Sequence, residues 1–381
     1  HWRSARAALP ACVVMGTHDR APVFARHRAA RVLRRVALLV DPRFPGGTGA
    51  AVAAEIRALA PRLDLKVHAI SSALFRDRPP NPAIVGALEE IGQRLLPEPP
   101  VVHADVIVLH NPTCLRFDSR LRPRLSAPRT IVVTHENFVR PDGSEGFDVA
   151  HCLGLVAEQT AGEKILAPVS EGNRASVAAW LARRPGSAWR LAADDWPNIC
   201  DLPFLSPTSS PRDRRGRHSR PGIEKFPPLA AMRVQFPPHA ERCAILGADN
   251  LIPEREDLPP HWQLLPFGSV RVADFLAGID FFVYFTHPLL RESYGRAIAE
   301  AIAAGKLVIT DPGTAEAFGP GVVADEGGGV DGIVAAHIAD PGRYAAAVLR
   351  AQADLARHRP ELVADRLLAL IESEIAVDAF L

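Results

Sequence analysis

The sequence predicts an α/β protein with two parallel sheets, each covered by helices on both faces. From Val36 onward, short apolar runs alternate with helical segments, which is typical of parallel strands joined by helices. The length of 381 residues favours two domains over one. A stretch rich in proline, serine and charge at residues 203–221 interrupts the alternation and predicts the junction between the domains.

The first domain is predicted to start with a buried strand at Val36–Val40, followed by a glycine-rich turn at Pro45–Gly49 and an amphipathic helix. Ser170 precedes a helical stretch at Glu171–Leu181, and serine is a favourable residue at the start of a helix. Further strands are predicted at Leu65–Ile70, Val106–Leu109, Thr130–Thr134 and Ile165–Val169.

The second domain resumes the alternation and closes with two long helices, predicted at Gly342–His358 and Pro360–Val377. We place the domains at 36–205 and 206–360. The predicted strands of the second domain are Arg242–Leu246, Trp262–Phe267, Phe281–Phe285 and Leu307–Thr310.

Composition narrows the class of protein. The net charge of +1 gives no reason to expect nucleic acid as a partner. The five cysteines contain no Cys-x-x-Cys pair, which argues against a disulfide framework or a zinc site and fits the reducing cytoplasm. The chain starts at His1 and not at a methionine, so we expect it to be part of a longer polypeptide.

Residues 1–35 carry eight arginines and a single acidic residue, Asp19. We interpret this segment as a basic arm, for which two roles are open. It is either a solvated linker to an upstream domain or an electrostatic anchor at the surface of an anionic membrane. The second role would make the protein peripheral to the inner face of that membrane.

Two glutamates, Glu292 and Glu300, are the most informative feature of the chain. Eight residues of helix rise by about 12 Å, which is roughly the reach from the ribose of a sugar nucleotide to its sugar. Between the glutamates, Ser293, Tyr294 and Gly295 begin the predicted helix, where unpaired N–H groups and the helix dipole favour a diphosphate. The alternative is a surface helix with two solvated acids.

This segment resembles the Glu-x7-Glu motif of retaining glycosyltransferases with the GT-B fold, family 4 in particular. The resemblance covers roughly residues 36–360 and implies two Rossmann-like domains that face each other across a cleft. It implies that Glu292 faces the transferred sugar and Glu300 the ribose of the nucleotide. It also implies that the final segment, 361–381, crosses back to the N-terminal domain.

Two further regions fit this resemblance in the first domain. Gly46 and Gly47 belong to a loop like the one that lies near the donor phosphates in that family, and glycine N–H groups suit an anion. A plain strand-to-helix turn would explain the same glycines. His135 follows a strand, at the edge where open α/β sheets bind ligands. It matches the histidine that lies beside the reacting sugar in family members.

The second domain adds a basic element and a loop. Residues 216–225 look like the Gly-Arg…Lys element that clamps the donor diphosphate, with Lys225 as one cation and either Arg217 or Arg220 as the other. The apolar strand that precedes this element in the family is polar here, so a basic linker is the alternative. Phe267 and Gly268 are predicted neighbours of the nucleobase.

The resemblance implies a retaining glycosyltransferase that moves a sugar from a nucleotide-diphosphate sugar to a hydroxyl of a glycan, lipid or protein. We expect no cofactor and no metal, because Asp-x-Asp, the usual metal-binding pattern of the other major glycosyltransferase fold, is absent from the sequence. Two alternatives are a sugar-nucleotide epimerase of the same fold and an inactive module that only binds sugar nucleotides.

Overall fold

The computed structural model describes residues 33–252 and 257–373. Most of the predicted basic arm at 1–35 therefore lies outside the described residues, and so does the end of the predicted last helix, from residue 374 onward. Within the described ranges, we find no helix with the length and apolarity that crossing a lipid bilayer requires.

The first sheet has six strands, all of them parallel. The strands predicted here lie within two residues of their observed ends. In order across the sheet they are β2 (Asp64–Ala69), β1 (Arg35–Val40), β4 (Val106–His110), β6 (Arg129–Thr134), β7 (Glu163–Pro168) and β8 (Trp189–Leu191).

Helices join these strands. A separate two-stranded parallel sheet is formed by β3 (Val101–His103) and β5 (Arg124–Ser126). Ser170 caps its helix as predicted, since its hydroxyl accepts a hydrogen bond from the N–H of Asn173. The helices are α1 (Gly47–Leu59), α2 (Pro82–Glu90), α3 (Val149–Gln159) and α4 (Glu171–Ala182).

The second sheet also has six parallel strands. In order they are β11 (Trp262–Leu265), β10 (Arg242–Leu246), β9 (Arg214–His218), β12 (Phe281–Tyr284), β13 (Leu307–Thr310) and β14 (Val323–Ala324). Its helices are α5 (Leu229–Gln235), α6 (Val272–Ala277), α7 (Arg296–Ala303), α8 (Pro312–Phe318), α9 (Val330–Ala339), α10 (Pro341–Leu355) and α11 (Pro360–Glu372). Two parallel α/β sheets confirm the predicted fold class.

Strand β9 lies within residues 203–221, the polar stretch that the sequence predicts as the junction between the domains. It lies in the middle of the second sheet although its sequence is Arg-Arg-Gly-Arg-His. Carboxylates neutralise its first two arginines: Arg214 donates to Asp280 at 2.8 and 2.9 Å, and Arg215 donates to Asp213 at 2.7 Å. A strand pattern based on apolar residues misses such a strand, because its charges are neutralised partly by distant parts of the chain.

Helix α11 returns the chain to the first sheet. It packs against α1, with Leu367 buried in the core that both sheets share. Arg62 pairs with Asp365, and Arg129 at the start of β6 donates to the carbonyl oxygen of Ser373 at 2.8 Å. These contacts tie the C-terminal helix to the first half of the molecule.

Candidate functional site

Glu292 lies in the loop just before α7 and forms an ion pair. Lys225 Nζ donates to its Oε1 at 2.6 Å, and the Tyr284 hydroxyl donates to the same oxygen at 2.7 Å. The Lys225 and Glu292 side chains are each only 12% exposed. Burial alone would raise the pKa of Glu292, but the charge of Lys225 and the two hydrogen bonds outweigh burial and lower it. The carboxylate is therefore held in its charged form.

Glu300 lies on α7, beside the C-terminal end of β9. Arg296, one turn earlier on the helix, donates from Nε to Oε1 at 3.0 Å. The other oxygen is 3.5 Å from Nε2 of His218, the last residue of β9. Burial lowers the pKa of His218, so its ring favours the neutral form. Glu300 keeps 21% of its side chain exposed, which leaves its carboxylate accessible to a ligand.

The start of α7 is fixed to the first domain. The Ser293 hydroxyl donates to the carbonyl oxygen of His135 at 2.6 Å, and the Ser170 hydroxyl donates to the carbonyl oxygen of Ser293. The helix start and the end of β6 therefore face each other across the two halves of the molecule. The structure brings together here the predicted residues Ser293 and His135.

Gly295 and Tyr294 shape this helix start from the inside. Gly295 has φ +80°, which strains other residues, and a Cβ there would lie 3.1 Å from the Phe318 ring, so glycine suits this position. Tyr294 is buried, with its ring packed against Phe318 and His358 at centroid distances of 6.0 and 5.3 Å. The Tyr294 side chain thus belongs to the core.

Arg217 is fully buried below the loop that carries Lys225. Its Nη1 donates to the carbonyl oxygen of Phe285 at 2.7 Å, and its Nη2 donates to that of Lys225. The guanidinium lies over the rings of Phe226 and Tyr284, 4.6 and 4.9 Å from their centroids. Burial lowers its pKa to about 10, which still leaves it charged at neutral pH. This arginine holds the Lys225 loop in place from beneath.

Arg220 is exposed and lies on the open side of the same loop. Its Nη2 pairs with Glu224 at 2.9 Å. Its charge also helps to lower the pKa of Glu292, after the larger effects of Lys225 and Tyr284. Of the two arginines predicted as alternatives, Arg220 is therefore the one whose guanidinium is accessible near the Glu292 pair.

His135 follows β6 and is in contact with a second histidine. Its Nε2 lies 3.1 Å from Nδ1 of His110, the last residue of β4. Burial, and then the neighbouring His110, place the pKa of His135 well below its usual value. The imidazole is therefore neutral at physiological pH.

The glycine-rich loop leads directly into α1, which begins at Gly47. Gly46 has φ +73°, whereas Gly47 lies within the helix. A Cβ on Gly47 would lie 3.6 Å from Cβ of Arg296 at the start of α7. The predicted loop and the predicted diphosphate-binding helix start are thus neighbours.

Phe267 and Gly268 lie after β11, two strands from β9 in the sheet. Phe267 is 49% exposed, and its N–H donates to Asp249 at 2.8 Å. Gly268 is exposed with φ +75°. A nucleobase contact by this loop stays a prediction.

Sequence reasoning missed several side chains of this site. Tyr284 and His218 are the last residues of β12 and β9, so the rule that ligands bind at the carboxyl ends of strands could have found them. Glu136, next to His135, has its pKa raised by burial, against the charges of Arg116, Arg220 and Lys225. No local motif marks it, because those cations come from distant positions.

Solved structures with a similar fold include Anabaena Alr3699/HepE in complex with UDP and glucose. It is 16% identical, covers 90% of this chain and 100% of its own, and has a TM-score of 0.61. An α-glucosyltransferase in complex with UDP-glucose and DNA containing an abasic site is 10% identical, with 89% and 99% covered and a TM-score of 0.60. A UDP-forming α,α-trehalose-phosphate synthase from Burkholderia xenovorans is 11% identical, with 90% and 99% covered and a TM-score of 0.57.

No protein-family model matches the chain, and no curated protein matches its sequence significantly. The similar structures are GT-B glycosyltransferases, so the predicted GT-B fold is confirmed. At these low identities, the comparison establishes the fold alone.

Proposed function

We propose that the protein is a glycosyltransferase that moves a sugar from a nucleotide-diphosphate sugar to an acceptor hydroxyl, with retention of the anomeric configuration. One observation carries the proposal. A largely buried Lys225–Glu292 pair lies in the loop just before α7, and that helix carries Glu300 about halfway along its length. These groups match the parts of a sugar nucleotide. The cation and the helix start suit the diphosphate, and the two carboxylates suit the sugar and the ribose.

The diphosphate is bound by Arg220, Lys225 and the backbone at Ser293 and Gly295. When the bond from the sugar to the diphosphate breaks, negative charge grows on the departing phosphate oxygen. Two cations and the dipole of α7 stabilise that charge in a partly buried site, so the transfer is metal-independent. The N–H groups around Gly46 and Gly47 add further donors at the cleft.

The nucleoside is held by Glu300, whose carboxylate accepts hydrogen bonds from the ribose hydroxyls. Arg296 and His218 orient that carboxylate from two sides. Phe267 and Gly268 would lie beside the base. We take UDP as the first nucleotide to test, because the similar structures contain UDP or UDP-glucose.

The sugar is oriented by Glu292 and His135. Lys225 and Tyr284 both bind Oε1 of Glu292, which leaves Oε2 to accept from a sugar hydroxyl. In the transfer step, the anomeric carbon loses its bond to the diphosphate and forms a bond to the acceptor oxygen on the same face. The acceptor proton passes to the departing phosphate oxygen, so charge and atoms balance.

A thermal-shift screen with UDP, GDP, ADP and their glucose derivatives tests the binding step, since a ligand that binds only the folded state raises the melting temperature. UDP-glucose is then incubated without an acceptor, and release of UDP is measured. We expect slow hydrolysis that is abolished in Lys225→Ala. Binding with no turnover would indicate a binding module, and conversion to another UDP-sugar would indicate an epimerase.

A further inference from the structure

A chain of buried polar side chains lies behind His135. Glu55 on α1 and His110 at the end of β4 have no exposed surface. Oε1 of Glu55 accepts a hydrogen bond from Nε1 of Trp196 at 2.9 Å, and its Oε2 lies 3.2 Å from Nε2 of His110. Nδ1 of His110 is in turn 3.1 Å from Nε2 of His135. Trp196, Glu55 and His110 thus form a continuous line of contacts that ends at the imidazole of His135.

The 3.2 Å contact between Glu55 and His110 is a close ion-pair contact, and the chemistry of these groups sets which ring nitrogen carries each proton. The indole of Trp196 is only a donor, and an ionised carboxylate is only an acceptor, so the ring nitrogen of His110 that faces Glu55 carries the proton. The other nitrogen of a neutral His110 is then an acceptor. It requires a proton on Nε2 of His135, which leaves Nδ1 of His135 with a lone pair.

Burial supports this arrangement. A charged carboxylate inside a protein is tolerated when it is paired and hydrogen-bonded, and Glu55 accepts one hydrogen bond from Trp196 and lies at ion-pair distance from His110. His135 itself stays neutral because burial lowers its pKa. Within the described parts of the chain, we find no protein atom that hydrogen-bonds Nδ1 of His135, so this nitrogen is available to a ligand.

We propose that Glu55 and His110 are positioning residues that fix His135 as the Nε2–H tautomer, so that its Nδ1 accepts a hydrogen bond from a hydroxyl of the transferred sugar. The sugar contact rests on the function proposed above, whereas the tautomer does not. A site built to accept a hydroxyl proton rejects an analogue in which fluorine replaces that hydroxyl, because fluorine has no proton to donate.

Replacing Glu55 by glutamine should reverse the direction of proton donation from residue 55 through His110 to His135, because glutamine has nearly the same shape as glutamate. The amide oxygen would keep the hydrogen bond from Trp196, which places the amide NH2 towards His110. His110 would then accept at Nε2 and donate from Nδ1. His135 would become the Nδ1–H tautomer, which presents a donor to the sugar and no longer an acceptor.

The tautomer is measured directly with 15N-labelled histidine by long-range proton–nitrogen correlation at neutral pH. The signals of His135 are identified by their loss in His135→Gln. We expect Nε2–H in the wild type and in the control Glu89→Gln, an exposed carboxylate on α2, and Nδ1–H in Glu55→Gln. A wild-type His135 found as Nδ1–H or as imidazolium would overturn the proposal even if Glu55→Gln does not fold.

The sugar contact is measured with UDP and UDP-glucose. Affinity for UDP, which lacks the sugar, should agree within about twofold between the wild type and Glu55→Gln, while kcat for UDP-glucose falls about tenfold. An inverted tautomer with unchanged kcat would refute the contact with the sugar. Failure of the wild type to bind any sugar nucleotide would instead refute the proposed function. The tautomer of His135 would still be tested by the NMR spectra.

Discussion

Exchanging Arg217 and Arg220 for alanine, one at a time, separates a structural cation from a ligand-binding one. Arg217 is fully buried and holds the Lys225 loop, whereas Arg220 is exposed and accessible. We expect Arg217→Ala to lower the free energy of unfolding. Arg220→Ala should leave that free energy within about 0.5 kcal/mol of wild type and should weaken the binding of UDP.

The size of the Arg217 effect follows from its contacts. Its hydrogen bonds to the carbonyl oxygens of Phe285 and Lys225 contribute about 1.5–3 kcal/mol each, and the rings of Phe226 and Tyr284 add about 1–2 kcal/mol. Burying the charged guanidinium costs several kcal/mol of desolvation free energy. The alanine variant does not have this cost, which offsets part of the loss. We therefore expect a net loss of about 2–4 kcal/mol.

The assay is urea unfolding followed by tryptophan fluorescence, with linear extrapolation to water. Arg350→Ala, an exposed arginine on α10, is the control and should match the wild type. Calorimetry with UDP should show about 10–100-fold weaker binding for Arg220→Ala, as expected for a charge-assisted hydrogen bond. An unfolding free energy of Arg217→Ala within 1 kcal/mol of wild type, or unchanged UDP affinity of Arg220→Ala, would refute the assignment.

Three further predictions concern the site. Glu300→Ala should weaken UDP binding by about 1–3 kcal/mol because the ribose hydroxyls lose their acceptor. The exposed control Glu361→Ala should bind UDP like the wild type. Equal calorimetric affinities for the two variants would contradict the ribose contact. Sugar transfer should persist in EDTA, and a loss of activity that manganese or magnesium restores would show that the cations do not suffice. The pKa of Glu292 is lowered in the folded state, so the ionised carboxylate stabilises the folded protein. This stabilisation is present above the unfolded pKa of about 4.3. It is lost as the pH falls through the lower pKa of the folded state. The wild type should therefore exceed Glu292→Gln in unfolding free energy by more at pH 7 than at pH 3, and an equal difference at both pH values in urea titrations would contradict the pairing.

Local pattern was enough for most of the sheet strands. Apolar runs such as Val36–Val40 and Leu307–Thr310 are strands because central parallel strands are buried on both faces. Strand β9 was missed because its arginines look like a solvent-exposed linker. Besides the local Asp213, their partners Asp280 and Asp331 come from later parts of the chain, so a local window shows more arginines than acids.

The candidate site divides in a similar way. Spacing pointed to Glu292 and Glu300, and the resemblance of residues 216–225 to the family's basic element pointed to Lys225. The chain itself could not say which arginine faces the site, since Arg217 and Arg220 differ by only three positions. Arg217 lies in a central strand that is buried on both faces, whereas Arg220 lies in the loop after that strand and is exposed.

The sequence by itself determined the α/β class, most strand positions and the two glutamates before and within one helix, because these depend on the pattern within a short stretch of chain. Only the tertiary structure decided that Ser293 donates to His135, that Tyr284 and Lys225 share one oxygen of Glu292, and that Glu55 lies behind His110. Those contacts join residues from different elements. They depend on how two sheets and their helices pack, and packing is a property of the whole chain.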